Sequence, residues 1–335
     1  MKKETKKIFI GLSCFIVAFF YLIIAASHYF YKLAIKRSYK KFMHNNKDLP
    51  RKYHKKVKSP EETTTLIDAV EPTPVEQSGE EWVNEKGYET WNITSEDGLK
   101  LVGYYIPATI QSNKTVILAH GYSSKGKNMG NCAKLYSEKL GYNVLMPDAR
   151  GHGESEGDYI GFGWPERKDY LIWIQRIINE VGTNAQIVLH GISMGAATVM
   201  MVSGEDLPEQ VKVIVEDCGY TSAYEQLSYQ LKRMYNLPKF PLMPATSLLT
   251  DIKDGYNFYE ASALKQVQKN KLPMLFIHGE EDLFVPTEMV WKLYEVCVTE
   301  KDIYLVKGAG HGMAYSTDKP TYEKKVAEFI SKFIK

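Results

Sequence analysis

Cysteine is scarce in this chain of 335 residues: there are four, Cys14, Cys132, Cys218 and Cys297. That density is far below a disulfide scaffold's and no two form a C-x-x-C pair, so buried thiols are the expectation, with a single disulfide as the alternative. Acidic residues are almost missing from the first 58 positions, where only Glu4 and Asp48 stand against 15 lysines and arginines. Between Ile8 and Tyr31 there is no Asp, Glu, Lys or Arg at all, over 24 residues. The remainder of the chain lacks a basic stripe interleaved with aromatics, so nucleic acid is not an expected partner. His120, His190 and His278 lack H-x-x-x-H or carboxylate spacing, which argues against a metal site. No cofactor is expected.

The uncharged stretch has a physical reading. About 20 apolar residues in a helix cross the hydrocarbon core of a bilayer. A cleaved signal peptide ending at Ala25-Ala26-Ser27 is the rival, but a signal's apolar region runs only about 7 to 15 residues. An uncleaved anchor over residues 8–31 is therefore expected, behind a short basic tail (1–7), with the lipid bilayer as its partner. A plain count of Lys32, Lys36, Arg37, Lys40 and Lys41 against Lys2, Lys3, Lys6 and Lys7 would hold the carboxyl side in the cytoplasm. Short lysine-rich tails stay inside, however, and long domains translocate largely regardless of charge, so the body is expected outside the cell. Residues 32–58 read as a basic stalk lying along anionic headgroups or wall polymers. Residues 59–81, with Pro60, Pro72 and Pro74, read as a linker.

The body spans residues 82–335. Glu89 to Thr94 and Leu99 to Ile106 are strand-like and flank the turn signal Glu96-Asp97-Gly98. Short apolar runs follow: Thr115 to Ala119, Asn143 to Met146, Gln186 to Leu189, Val211 to Val215, Pro273 to Ile277 and Ile303 to Val306. Runs of this length suit strands buried on both faces. Segments of helical period separate them. Tyr170, Trp173, Ile174, Ile177, Ile178 and Val181 form one stripe, with Pro165 near its start and Gly182 at its end. Tyr322, Val326, Phe329, Ile330 and Phe333 form another, opened by Pro320. The expectation is an α/β fold with a mostly parallel central sheet and helices on both faces, with reactive groups at the carboxyl ends of the strands.

Two segments match G-x-S-x-G, the pattern that houses many serine nucleophiles: Gly153-Glu154-Ser155-Glu156-Gly157 and Gly191-Ile192-Ser193-Met194-Gly195. The pattern works only on a sharp turn between a buried strand and a helix. Ser193 has the run Gln186-Ile187-Val188-Leu189 before it and the helix-forming Ala196 to Met201 after it. Ser155 has loop on both sides. Ser193 is therefore the expected nucleophile and Ser155 a chance match.

A serine hydroxyl needs a base, and the base an orienting carboxylate. On a strand–helix scaffold the order along the chain is serine, acid, histidine. Only His278 and His311 follow Ser193. His311, in the loop Gly308-Ala309-Gly310-His311-Gly312, is the expected base. Asp282 is the expected acid, with Asp217 in reserve. His120, His190 and His278 are expected to be structural. The oxyanion of acyl transfer needs two N–H donors, and the backbone groups of Met194 and Tyr122 are the candidates.

His120-Gly121, Asp148-Ala149-Arg150-Gly151-His152-Gly153-Glu154-Ser155, Gly191 to Gly195, Gly279-Glu280-Glu281-Asp282 and Gly310-His311-Gly312 together resemble the α/β-hydrolase superfamily. The likeness is to its bacterial membrane-anchored serine hydrolases, a branch of esterase-like and serine aminopeptidase-like proteins, and covers about residues 88–335. It implies that the Asp148 to Ser155 stretch is a structural loop and that residues 218–271 form a cap over the site. The H-G-G-G of many lipases is absent. The cap segment is rich in aromatics, among them Tyr220, Tyr224, Tyr229, Phe240, Phe258 and Tyr259, which would favour an apolar acyl or aryl group if they line the site. A carboxylic-ester hydrolase acting on a small ester is the leading expectation. A peptidase acting on short peptides is the nearest alternative and would need a cap carboxylate, Glu225 or Glu260, to hold a substrate amine. A catalytically inert tethered binding module is the third reading.

Overall fold

The computed structural model describes residues 2–38 and 74–335. The stalk from 39 onward and the linker up to 73 lie outside the described residues. Helix α1 (Lys2–Phe30) carries the uncharged stretch. Gly11–Ile35 is long and apolar enough to cross a membrane, and its side chains are mostly exposed, Phe15, Phe19, Phe20 and Leu22 among them.

Two boundaries expected from the sequence need correction. The stalk does not begin at 32: Tyr31–Ile35 form one wider helical turn, and Tyr31 and Ile35 are buried in the body. Nor does the linker run to 81, because Pro74–Lys86 form helix α2. Trp82 and Val83 explain it. Both are buried in the core, and the Trp82 indole donates to Glu138 Oε1 at 2.7 Å. The proline and threonine content masked a helix whose apolar residues are few but packed.

The body is an eight-stranded sheet: β1 (Glu89–Thr94), β2 (Lys100–Ile106), β3 (Lys114–Ala119), β4 (Asn143–Pro147), β5 (Gln186–Ile192), β6 (Val211–Asp217), β7 (Met274–Gly279) and β8 (Lys301–Val306). The spatial order is β1-β2-β4-β3-β5-β6-β7-β8. The hairpin β1–β2 and the pair β2–β4 are antiparallel, and every other pairing is parallel. The central strands are buried on both faces, as continuous apolar runs demand. Side chains alternate between the two faces. Ile187 and Leu189 of β5 join one core with Leu145 of β4, while Val188 joins the other with Val144 and Met146.

Helices cover both faces. On the first core lie α3 (Glu166–Val181), through Tyr170, Trp173, Ile174 and Ile177, and α4 (Met194–Val202). The second core takes α2 and the last helix, Lys319–Ile330, through Tyr322, Val326, Phe329 and Ile330. That helix stops at Ile330, so Phe333 sits in the turn after it rather than on the expected stripe, although its ring still meets Phe329 at 5.3 Å. Between β6 and β7 rise two longer helices, α5 (Ala223–Tyr235) and α6 (Leu242–Asp254). The Ser222 side chain caps α5 by accepting from Glu225 N–H, the usual remedy for an orphan donor. The end of α1 packs against α6.

Candidate active site

Ser193 stands between β5 and α4, at the carboxyl end of a central strand. Its backbone has φ 58° and ψ −115°, strained for a residue with a side chain. Such strain persists only where the surroundings enforce it, and it gathers at functional sites. Two glycines allow the bend. A Cβ on Gly191 would lie 2.2 Å from Gly195 O, and one on Gly195 would lie 2.0 Å from Ala119 O. Strand and helix touch backbone to backbone there, and no side chain fits.

The expected partners meet at this turn. Ser193 Oγ is 2.8 Å from His311 Nε2, and His311 Nδ1 is 2.7 Å from Asp282 Oδ2. The other carboxylate oxygen, Oδ1, accepts the N–H groups of Phe284 and Val285, each at 2.8 Å. Those two bonds fix the plane of Asp282 and hence the ring it faces. Burial alone would raise the Asp282 carboxyl, but the imidazoles of His311 and His278 beside it hold it well below the usual carboxylate range. Asp282 is thus an anion at neutral pH, and it fixes His311 with Nδ1 as donor and Nε2 as acceptor toward the hydroxyl. A serine, a base aimed at it and a fixed anion behind the base are what nucleophilic acyl transfer requires.

The other candidates are engaged elsewhere. Asp217 ends β6, but its Oδ2 accepts from Tyr322 OH at 3.0 Å, and burial pushes its carboxyl up to about 6. Its contribution to Ser193 is a backbone one: Ser193 N–H donates to Asp217 O at 2.8 Å. His190 lies between the hydroxyls of Tyr136 and Tyr322, each at 3.1 Å, and burial pushes it down to about 3, so it stays neutral. His278 donates from Nε2 to Val285 O at 2.9 Å, and His120 Nε2 accepts from Ala149 N–H at 2.9 Å. Ser155 is 1% exposed: its hydroxyl donates to Asp148 O at 2.7 Å and accepts from Val102 N–H at 2.8 Å. It locks a loop onto strand β2 and faces no base.

Met194 N–H opens helix α4, among the first donors that a helix leaves without an internal partner. The Gly121–Tyr122 backbone passes beside Ser193, for a Cβ on Gly121 would lie 3.4 Å from Ser193 Cβ. Tyr122, Met194 and Ser193 all line one cavity that opens to solvent. Leu227, Leu231, Met243 and Phe258 from the cap segment line it too, while Tyr224, Tyr229, Phe240 and Tyr259 do not. Neither does Glu225 or Glu260. The first bonds Thr221 and lies 3.8 Å from Lys292, and the second accepts from Asn257 N–H.

Sequence reasoning missed several lining residues. Phe30, Leu33, Ala34 and Ile35 come from the end of the apolar segment and sit against the same cavity as Ser193. Nothing local marks them, since their neighbours there lie about 90 to 250 positions away in the chain. Cys218 was also missed: its sulfur, an Asp282 oxygen and a His311 nitrogen lie within 4.8 Å of one another. A metal could use those three only by breaking the 2.7 Å bond between His311 and Asp282, and by stripping a thiol proton that burial holds in place.

The chain has known counterparts. The model of the prolyl oligopeptidase family matches residues 131–335. The uncharacterized protein YqkD of Bacillus subtilis is 32% identical over 238 residues, 71% of this chain and 77% of its own. The thermostable monoacylglycerol lipase of a Bacillus species is 22% identical over 248 residues, 65% of this chain and 90% of its own. Among solved structures, the Pyrococcus furiosus esterase Pf2001 superposes with a TM-score of 0.62 at 26% identity, covering 75% of this chain and 93% of that one. With an α/β-hydrolase sheet, a serine on its strained turn and a family match across most of the body, this chain belongs to the prolyl oligopeptidase family of α/β-hydrolases.

Proposed function

We propose that the chain is a membrane-anchored serine esterase. Ser193 is the nucleophile, His311 its base, Asp282 the carboxylate that orients the base, and the backbone N–H groups of Tyr122 and Met194 the oxyanion donors. The observation that carries this reading is the unbroken hydrogen-bonded line from Ser193 Oγ through His311 to Asp282, opening into an apolar cavity. In the first half-reaction His311 Nε2 takes the Ser193 proton as Oγ bonds to the ester carbonyl carbon. The oxyanion collapses, the bond to the alkoxy oxygen breaks, and the alcohol leaves with the proton held by His311. Water then gives a proton to His311 and its oxygen to the acyl carbon, which releases the acid and restores Ser193.

The family name and the acyl chemistry also suit a peptidase. The lining favours the ester reading, because none of the described residues that line the cavity is a carboxylate able to hold a substrate amine. The relatives named as an esterase and a monoacylglycerol lipase point the same way. The membrane side of the body follows the charge reading: a lysine-rich tail inside, the hydrolase outside.

The test uses the full chain in detergent. A fluorophosphonate should label Ser193, and p-nitrophenyl butanoate should turn over far faster than an aminoacyl anilide. Faster anilide cleavage would make the chain a peptidase. A folded protein that takes no label would make it the inert binding module.

A further inference from the structure

The cavity beside Ser193 is built from two regions that the sequence keeps apart. One wall is the body and its cap. The other is the end of the apolar helix, where Phe30, Leu33, Ala34 and Ile35 face the same space as the nucleophile. This wall is fastened in place. Tyr122 OH donates to Ala34 O at 2.8 Å, Ile160 N–H to Ile35 O at 2.8 Å, and Arg37 N–H to Asp158 O at 2.7 Å. The Arg37 guanidinium donates to Ser155 O at 2.7 Å, Gly153 O at 2.8 Å and Gly157 O at 3.2 Å. Tyr31 OH reaches Asp254 at the end of α6 at 3.0 Å. A tether that only held the body near a membrane would need none of these bonds.

The surroundings of this wall are apolar outside as well as inside. Upstream, α1 exposes the side chains that suit a bilayer. On α6, against which α1 packs, Leu248 and Ile252 are 59% and 74% exposed, and residues four apart share a face. Tyr235, which also lines the cavity, is part-exposed and meets Phe30 edge-on at 5.2 Å. The cavity therefore runs from the nucleophile to the flank where the helix leaves the body for the bilayer.

We propose that the substrate is an ester lipid taken from that bilayer, with an acyl chain lying along residues 30–35. This rests on the serine-esterase reading. An acyl chain is the occupant that suits a nearly all-apolar space with a nucleophile at one end and a lipid surface at the other. Each methylene buried adds to binding, so turnover rises with chain length until the chain meets the Phe30–Tyr235 end.

The experiment uses the full chain in phosphatidylcholine vesicles and a long-chain alkyl fluorophosphonate with a diazirine at its far end. Ser193 Oγ bonds to phosphorus, fluoride leaves, and His311 takes the serine proton. After illumination, the peptide holding residues 30–35 should carry the cross-link. Label on Ser193 with cross-links only elsewhere overturns the proposed acyl path and spares the esterase reading. No label on folded protein overturns the esterase reading itself. In parallel, the dodecanoate-to-butanoate ratio of kcat/KM should exceed about tenfold in the wild type, given the eight added methylenes. Leu33→Trp should lower that ratio about tenfold, and Leu33→Ala should move the preferred length upward. If Leu33→Trp fails to fold, Leu33→Ala decides. An unchanged length preference in a variant that still takes the label refutes the inference.

Discussion

Replacing Ser155 by alanine separates the two G-x-S-x-G serines in one experiment. The Ser155 hydroxyl satisfies two buried backbone groups, accepting from Val102 N–H on β2 and donating to Asp148 O. Alanine leaves both without it in a place where water does not reach, since the residue is buried. A buried group left unsatisfied costs about 1–3 kcal/mol, so the pair should cost about 2–6 kcal/mol. For a domain of this size each kcal/mol moves Tm by about 2–4 °C, which predicts a fall of about 4–24 °C. Ester turnover at a temperature where both proteins are folded should change little, because no bond of Ser155 reaches His311. Ser193→Ala should do the reverse, cutting turnover by about four to six orders of magnitude with little change in Tm. Thermal melts by circular dichroism, paired with initial rates on a chromogenic ester, read both. A Ser155→Ala protein that melts like the wild type yet has lost turnover as fully as Ser193→Ala would refute the assignment of the two serines.

Asp282→Asn should lower kcat by about three to four orders of magnitude, because the amide no longer fixes the His311 tautomer; a loss under tenfold in steady-state rates would remove Asp282 from its proposed role. Tyr122→Phe deletes the bond to Ala34 O and loosens a proposed oxyanion donor, so kcat/KM for long esters should fall about two- to tenfold, the size of one hydrogen bond; wild-type kinetics would show that the link does not position the loop. Glu216 is buried, and desolvation pushes its carboxyl up to about 8. Its folded pKa lies above its unfolded one, so the folded state holds the proton longer and stability drains away as pH rises between about 4.5 and 8. Glu216→Gln, which cannot ionise, should therefore raise Tm at pH 8 by more than at pH 5. An equal shift at both would contradict the burial effect.

Much of the fold was legible because each feature was local. The buried strands announce themselves as short apolar runs, and the α3 stripe from Tyr170 to Ile177 repeats at helical spacing. The turn at Ser193 was legible for a related reason: a strand, two glycines and a helix lie within a dozen residues. Asp282 and His311 could be found by chain order, because each occupies a loop just past a strand. The anchor's share of the cavity was not legible. Leu33 and Ala34 look like any other residues of an apolar helix, and their neighbours, Tyr122 among them, lie far along the chain. Helix α2 was missed because Pro74 and its polar surroundings read as linker, whereas two residues, Trp82 and Val83, were enough to dock it.

The grip of Arg37 on the carbonyls at 153, 155 and 157 bears on how such a protein could be shed. A cut between residues 39 and 73 would break the chain yet leave the body held to the apolar helix through the bonds of Tyr31, Ala34, Ile35 and Arg37. Release at Ala25-Ala26-Ser27 would instead carry Phe30 to Arg37 along. That form would keep the cavity whole, with Phe30 still set against Tyr235.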